Sequence, residues 1–180
     1  MRGRVCRSAV SVLLLTASLV GCIRPQPQRP PVPVIDDARD ARAVDPCALL
    51  GAEQLAAVGL GGVGTPAVGA EGPRCRWRSG GGDLEVTVWT GGGGLATLAR
   101  NSEPTTTRVR LAGYPALETF TGRGEFCQYD VGVADGQVVM AALDAPAPDS
   151  CVTLQAVLSA LIANLPPAAA LAAPSRGPAR

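Results

Sequence analysis

Arg74, Arg76 and Arg78 alternate with Cys75 and Trp77, a spacing that puts their guanidiniums on one face of a strand. Such an array can bind a phosphate or an anionic headgroup through paired N–H donors. A solvated strand face with ion pairs to nearby acids accounts for the same spacing. Asp83, Glu85, Glu118 and Glu125 are the carboxylates that could supply a glycoside-cleaving pair, which must face each other across a cleft. Otherwise they are ordinary strand-face charges. Trp89 shares strand parity with Glu85 and Thr87, opposite Leu84, Val86 and Val88. It is a candidate exposed aromatic for a ligand or a sugar ring, unless a helix or loop covers it. Gly59-Leu60-Gly61-Gly62-Val63-Gly64 spells a Gly-x-Gly-x-x-Gly motif. A dinucleotide loop needs a strand before it and a helix after it; here a helix precedes and a proline-containing loop follows. Gly91 to Gly94 opens a helix and could cradle an anion through backbone N–H groups, or serve only as a flexible connection.

Two residue types are missing. All 16 basic residues are arginine, and histidine is absent. That removes Ser-His and Cys-His nucleophile pairs, imidazole metal ligands, Schiff bases and the phosphate-loop lysine. Most common routes to hydrolysis and phosphoryl transfer are closed. No enzyme activity, cofactor or metal is expected.

Cysteine offers the other chemistry. Arg2, Arg4 and Arg7 precede an uncharged apolar run from Ser8 to Val20, and Gly21 is followed by Cys22. This is the layout of a secretory signal, too short to span a bilayer, where about 20 apolar residues are needed. The Leu19-Val20-Gly21-Cys22 sequence resembles the bacterial lipobox, whose cysteine is lipidated and becomes the new N-terminus. The expectation is an exported chain, anchored to the cell membrane from outside by lipidated Cys22. Removing Arg2, Arg4 and Arg7 leaves 13 arginines against 15 acids. So balanced a chain, without a basic stripe, argues against nucleic acid as a partner.

In an oxidising compartment Cys47, Cys75, Cys127 and Cys151 form a disulfide framework by default. Four cysteines allow three pairings. Asp45-Pro46-Cys47 and Asp149-Ser150-Cys151 each look like an Asp N-cap with cysteine in the first helical turn, whereas Cys75 and Cys127 look like strand residues. The pairing expected is therefore Cys47 with Cys75 and Cys127 with Cys151. A tetrathiolate metal site is the alternative, but the chain has no Cys-x-x-Cys.

These residues need a scaffold. After a signal at 1–21, residues 22–44 carry many prolines and charges without apolar periodicity and suggest a solvated tether. Residues 167–180 are an Ala/Pro tail. Between them, 45–166 suits one core. Cys47, Leu50, Leu55 and Val58 mark a short helix with Gly51 as a possible break; Leu60 to Gly72 suggests a loop. Strands are expected at Cys75–Arg78, Leu84–Trp89, Thr105–Leu111 and Pro115–Thr121. Asp135-Gly136 predicts a hairpin between Phe126–Ala134 and Gln137–Leu143. Helices follow at Leu95–Asn101 and from Cys151 to Leu165. The fold class is α+β: one antiparallel sheet covered by N- and C-terminal helices.

Several of these runs together are similar to one family. Asp45-Pro46-Cys47-Ala48-Leu49-Leu50, Cys75-Arg76-Trp77, Ala112-Gly113-Tyr114-Pro115-Ala116 and Val131-Gly132-Val133-Ala134-Asp135-Gly136-Gln137 occur in its order, with Cys151 and Leu161-Ile162-Ala163-Asn164-Leu165-Pro166 behind them. It is the actinobacterial lipoprotein family known as domain of unknown function 3558. The resemblance implies an envelope lipoprotein with no assigned activity and no catalytic residues. Gly51 replaces the hydroxyl residue expected there as a helix cap. The element order also resembles the PsbP-like α/β/α sandwich, a likeness of fold only. Two functions follow as expectations: a non-enzymatic module binding another envelope protein or polymer, or a carrier of a lipid or small hydrophobic ligand. The carrier would need a cavity lined by Leu158, Leu161, Val139, Ala141 and Leu143. A hydrolase using only carboxylates is a third, lesser expectation.

Overall fold

Alternation of apolar and polar residues decides most of the architecture. In β3 (Gly82–Trp89), Leu84, Val86 and Val88 are almost fully buried while Glu85 and Trp89 stay partly accessible. The same period governs β6 (Phe126–Ala134), where Cys127, Tyr129, Val131 and Val133 point into the core, and β7 (Gln137–Asp144), where Val139, Ala141 and Leu143 do. With β1 (Thr65–Val68), β2 (Pro73–Ser79), β4 (Thr106–Leu111) and β5 (Tyr114–Thr121) they form one seven-stranded sheet in the order β1-β2-β3-β7-β6-β5-β4. Every neighbouring pair is antiparallel. The computed structural model describes residues 35–80, 82–121, 126–145 and 149–168. The expected signal, Cys22, the first part of the tether, Glu125 and most of the tail lie outside the described residues.

Helices lie on both faces. One face carries a turn of 3-10 helix (Pro46–Ala48), α1 (Ala52–Ala57) and α3 (Ser150–Asn164). Leu154, Leu158, Leu161, Ile162 and Leu165 of α3 and its exit pack with the sheet residues above into the main core, beside Trp77. The other face carries α2 (Gly94–Asn101), whose Leu95 and Ala99 bury Leu117 and Val138. Two disulfides join Cys47 to Cys75 and Cys127 to Cys151, tying the 3-10 turn to β2 and α3 to β6. Both pairings agree with expectation. Asp45 caps as expected, accepting from the Cys47 N–H at 2.9 Å. Asp149 does not cap with its side chain; its backbone carbonyl accepts from Thr153 N–H. Gly51 starts α1, and Gln54 Oε1 accepts its N–H at 2.6 Å in place of a hydroxyl cap.

Two expectations need correcting. The segment Leu60 to Gly72 is not all loop: Thr65–Val68 forms edge strand β1, exposed throughout and paired with β2. Pro66 and the lack of a buried side chain erase its alternation in the sequence. Residues 35–44 are not a free tether. Ala41 is fully buried, and its N–H donates to Gln137 Oε1 at 2.7 Å. Arg39 N–H donates to Val133 O, Asp40 N–H to Pro166 O, and Ala168 N–H to Ala38 O. The Arg39 guanidinium donates to Leu165 O, to the Tyr114 hydroxyl and to Asp37, which holds it above its ordinary pKa. A fork of five donors satisfies several acceptors where chain entry and exit meet.

Candidate functional site

The α2 face is covered at one end only. Strand register places Arg74 beside Thr87, Thr87 beside Met140, and Met140 beside Asp130. The next row runs from Thr65 through Arg76, Glu85, Ala142, Gln128 and Thr119 to Thr106, crossing all seven strands. Beyond it lie Arg78, Asp83, Asp144 and Phe126. None of the residues in the second row is fully buried. Two shallow grooves lie on this surface and share Glu85: one of about 280 Å³ over Val63, Thr65, Ala67 and the three arginines, and one of about 60 Å³ over Thr87, Gln128, Met140 and Ala142.

The candidates Arg74, Arg76 and Arg78 do share one face, and Asp83 and Glu85 meet them there. Arg76 Nη2 lies 2.5 Å from Glu85 Oε2, Arg78 Nε 2.9 Å from Asp83 Oδ2, Arg76 Nε 3.4 Å from Asp83 Oδ1, and Arg74 Nη1 3.5 Å from Glu85 Oε1. The result is a continuous ladder of alternating charge. Arg76 Nε and Glu85 Oε2 are shielded from solvent, and neither has a hydrogen bond of good geometry among the described residues.

Other candidates fall elsewhere. Trp89 is half-buried and packs against the α2 cluster with Leu98, so it is no open platform. Glu118 points to the opposite face from Glu85 and accepts from the Tyr129 hydroxyl at 2.8 Å, so the two form no pair. Gln155 of α3 donates to the same hydroxyl at 2.6 Å. Burial, foremost, pushes the Tyr129 phenol up to about 12. Glu118 also lies near the sulfurs of Cys127 and Cys151, but these are joined as a disulfide and offer no thiolate to a metal.

In the Gly-x-Gly-x-x-Gly run, conformation and packing account for Gly59, Gly62 and Gly64, and Gly61 has open space around it. Gly59 and Gly62 have φ of 71° and 87°, and a side chain at Gly64 would run into the Cys75 sulfur and the Trp77 ring. In the run before α2, Gly91 lies against the Trp89 indole and Gly94 against the backbone of Gly136. Leu158, Leu161, Val139, Ala141 and Leu143, proposed to line an interior cavity, belong to one packed cluster and are at most 2 % exposed. An apolar depression of about 290 Å³ opens instead between α1 and α3 over Ala57, Val58, Val152, Ala156 and Ala160.

One residue of interest escaped the sequence reading. Asp130 is buried on the α2 face between Leu117 and Met140, and burial raises its pKa against the opposing hydrogen bond from Gln128 Nε2 at 2.8 Å. Its parity with Gln128, opposite Tyr129 and Val131, was the available signal.

Comparison with known families gives one result. The family described as "Protein of unknown function (DUF3558)" matches residues 21–164, well over half of the chain. The chain belongs to the DUF3558 family. No curated protein and no solved structure matches it. The DUF3558 match spans both disulfides, the whole sheet and the docked segment 35–44. Its description carries no activity, so roles for the ladder residues rest on geometry.

Proposed function

We propose that this DUF3558 protein is a cell-envelope lipoprotein, of the kind actinobacteria carry, that holds another envelope component against the open half of its sheet without catalysing a reaction. The observation behind this reading is the unequal cover of the two faces. One is closed by α1, α3 and the 3-10 turn; the other is closed by α2 alone and leaves a polar ladder in solvent. Exposed ion pairs contribute about 0–1 kcal/mol each, so stability is a weak reason for such a ladder. The lipidated Cys22 would supply the membrane anchor. Residues 23–34 precede the docked segment and reach at most about 40 Å, which would keep the domain near the membrane surface.

Photo-crosslinking in intact envelopes tests the binding face. A photoreactive residue at Gln128 should give a discrete adduct, while one at the exposed Ser159 of α3 should not. No adduct at Gln128, or equal labelling at both, overturns the reading. The anchor is tested separately: Cys22→Ala should abolish incorporation of labelled acyl chains and release the protein from the membrane fraction, and persistent labelling refutes it. The apolar depression between α1 and α3 supports a second reading, carriage of a hydrophobic ligand on the surface. An acyl-mass adduct from a photoreactive residue at Ala156, which lines the depression, would favour it.

A further inference from the structure

We infer that the component held by the open face is a neutral, linear polysaccharide lying across the strands; the inference rests on the binding-module reading and adds the ligand class. Charge is the first argument. On β2, β3 and β7, Arg74, Arg76 and Arg78 share this surface with Asp83, Glu85 and Asp144, so cations and anions balance there. An anionic chain would meet the three carboxylates, and a cationic chain the three guanidiniums. A hydroxyl-rich neutral chain can use both, because a diol can accept from a guanidinium and donate to a carboxylate.

Repeat is the second argument. Arg76, Glu85, Gln128, Thr119 and Thr106 stand in one row on successive strands, interrupted only by Ala142. Strands are about 4.8 Å apart, close to the length of one sugar ring in an extended chain. Met140 and Phe126 border the row with apolar surface for ring C–H groups.

The test measures binding of the full lipidated chain in detergent micelles to neutral linear glycans. The probes are di-, tetra- and hexasaccharides of glucose, mannose, arabinose or N-acetylglucosamine. At least one series should bind, with affinity rising tenfold or more from disaccharide to hexasaccharide. Between low and high salt the affinity should change less than twofold, since no counterions are released. Glu85→Gln and Gln128→Ala should each weaken the hexasaccharide at least tenfold while the variant stays folded by far-UV circular dichroism. Gln128→Ala keeps the test valid if the ladder variant folds poorly. Failure of every series, equal affinity for all lengths, indifference to both substitutions, or tighter binding of a sulfated hexasaccharide would each overturn the inference. A Gln128 adduct of protein mass that resists glycosidases would do so too. If the Gln128 adduct forms while all glycans fail, the ligand class is wrong and the binding face stands. If that adduct is missing, both fall.

Discussion

Removing either disulfide should cost the protein nearly the same stability, although the two cross-links sit in unlike places. The closed loops are of sequence separation 28 for Cys47–Cys75 and 24 for Cys127–Cys151. In the chain-entropy treatment each constrains the unfolded chain by about 3.5 kcal/mol, and the difference between them is only about 0.1–0.2 kcal/mol. Cys75 and Cys127 are both fully buried, so trimming the sulfurs adds a further cost of about 1 kcal/mol to each. The paired variants Cys47→Ala/Cys75→Ala and Cys127→Ala/Cys151→Ala should therefore each lose about 4–5 kcal/mol. For a folded unit of about 130 residues that lowers Tm by about 15 °C. Guanidinium unfolding followed by the fluorescence of buried Trp77 gives the free energies. The opposing view is that native contacts, not loop closure, set the cost. It predicts a larger loss for the bond holding α3 to central strand β6 than for the bond holding a 3-10 turn to β2. A difference of more than about 1.5 kcal/mol between the two variants would refute the entropic account.

Gly64→Ala should destabilise by about 2–3 kcal/mol, because its methyl would press on Trp77 and the Cys47–Cys75 bridge. Gly61→Ala, with open space around it, should stay within about 0.5 kcal/mol, and equal effects in thermal melts would refute the packing role of Gly64. Asp130→Asn should raise Tm at pH 7 and leave it unchanged at pH 3. The folded protein binds the Asp130 proton more tightly than the unfolded chain does, so stability falls as pH rises above about 3.9 toward the raised folded value. A variant less stable than the parent at pH 7 would show that the charged form is the favoured one. Arg39→Ala should free the docked segment. Limited proteolysis would then cut within residues 35–44 while the fragment from 45 onward survives, and unchanged resistance there would show that Ala41 and the backbone bonds suffice.

How far the sequence leads depends on whether a feature is local. Leu84, Val86 and Val88, the Asp135-Gly136 turn and the leucines of α3 signal their elements through neighbours a few residues away, and all formed where expected. The disulfide pairing was legible because Asp45 and Asp149 both mark helix starts, even though only Asp45 caps with its side chain. What was not legible depends on distant partners. Strand β1 exists because β2 offers it a ladder, not because Thr65-Pro66-Ala67-Val68 alternates. The segment 35–44 is held by Gln137, Val133 and Pro166, nearly a hundred residues and more away. At the candidate site, the parity of Arg74, Arg76 and Arg78 was plain, and so were Asp83 and Glu85 taken separately. Their meeting follows from β2 pairing with β3, and the burial of Asp130 follows from Leu117 and Met140 on flanking strands.

The open face follows from a mismatch of lengths. Seven strands make a sheet about 29 Å wide. Helix α3 has 15 residues and runs about 22 Å, and with α1 and the 3-10 turn it closes its face. Helix α2 has 8 residues, about 12 Å, and cannot close the other. Strand residues beyond its reach must meet water, and they are Arg, Glu, Thr and Gln where the opposite parity is Val, Leu and Cys. A helix two turns longer with apolar contacts would have removed the need for charge on β2 and β3. The surface proposed for binding is thus set by the shortness of one helix, and strand parity, which brings Asp83 and Glu85 to the arginines of β2, marks it.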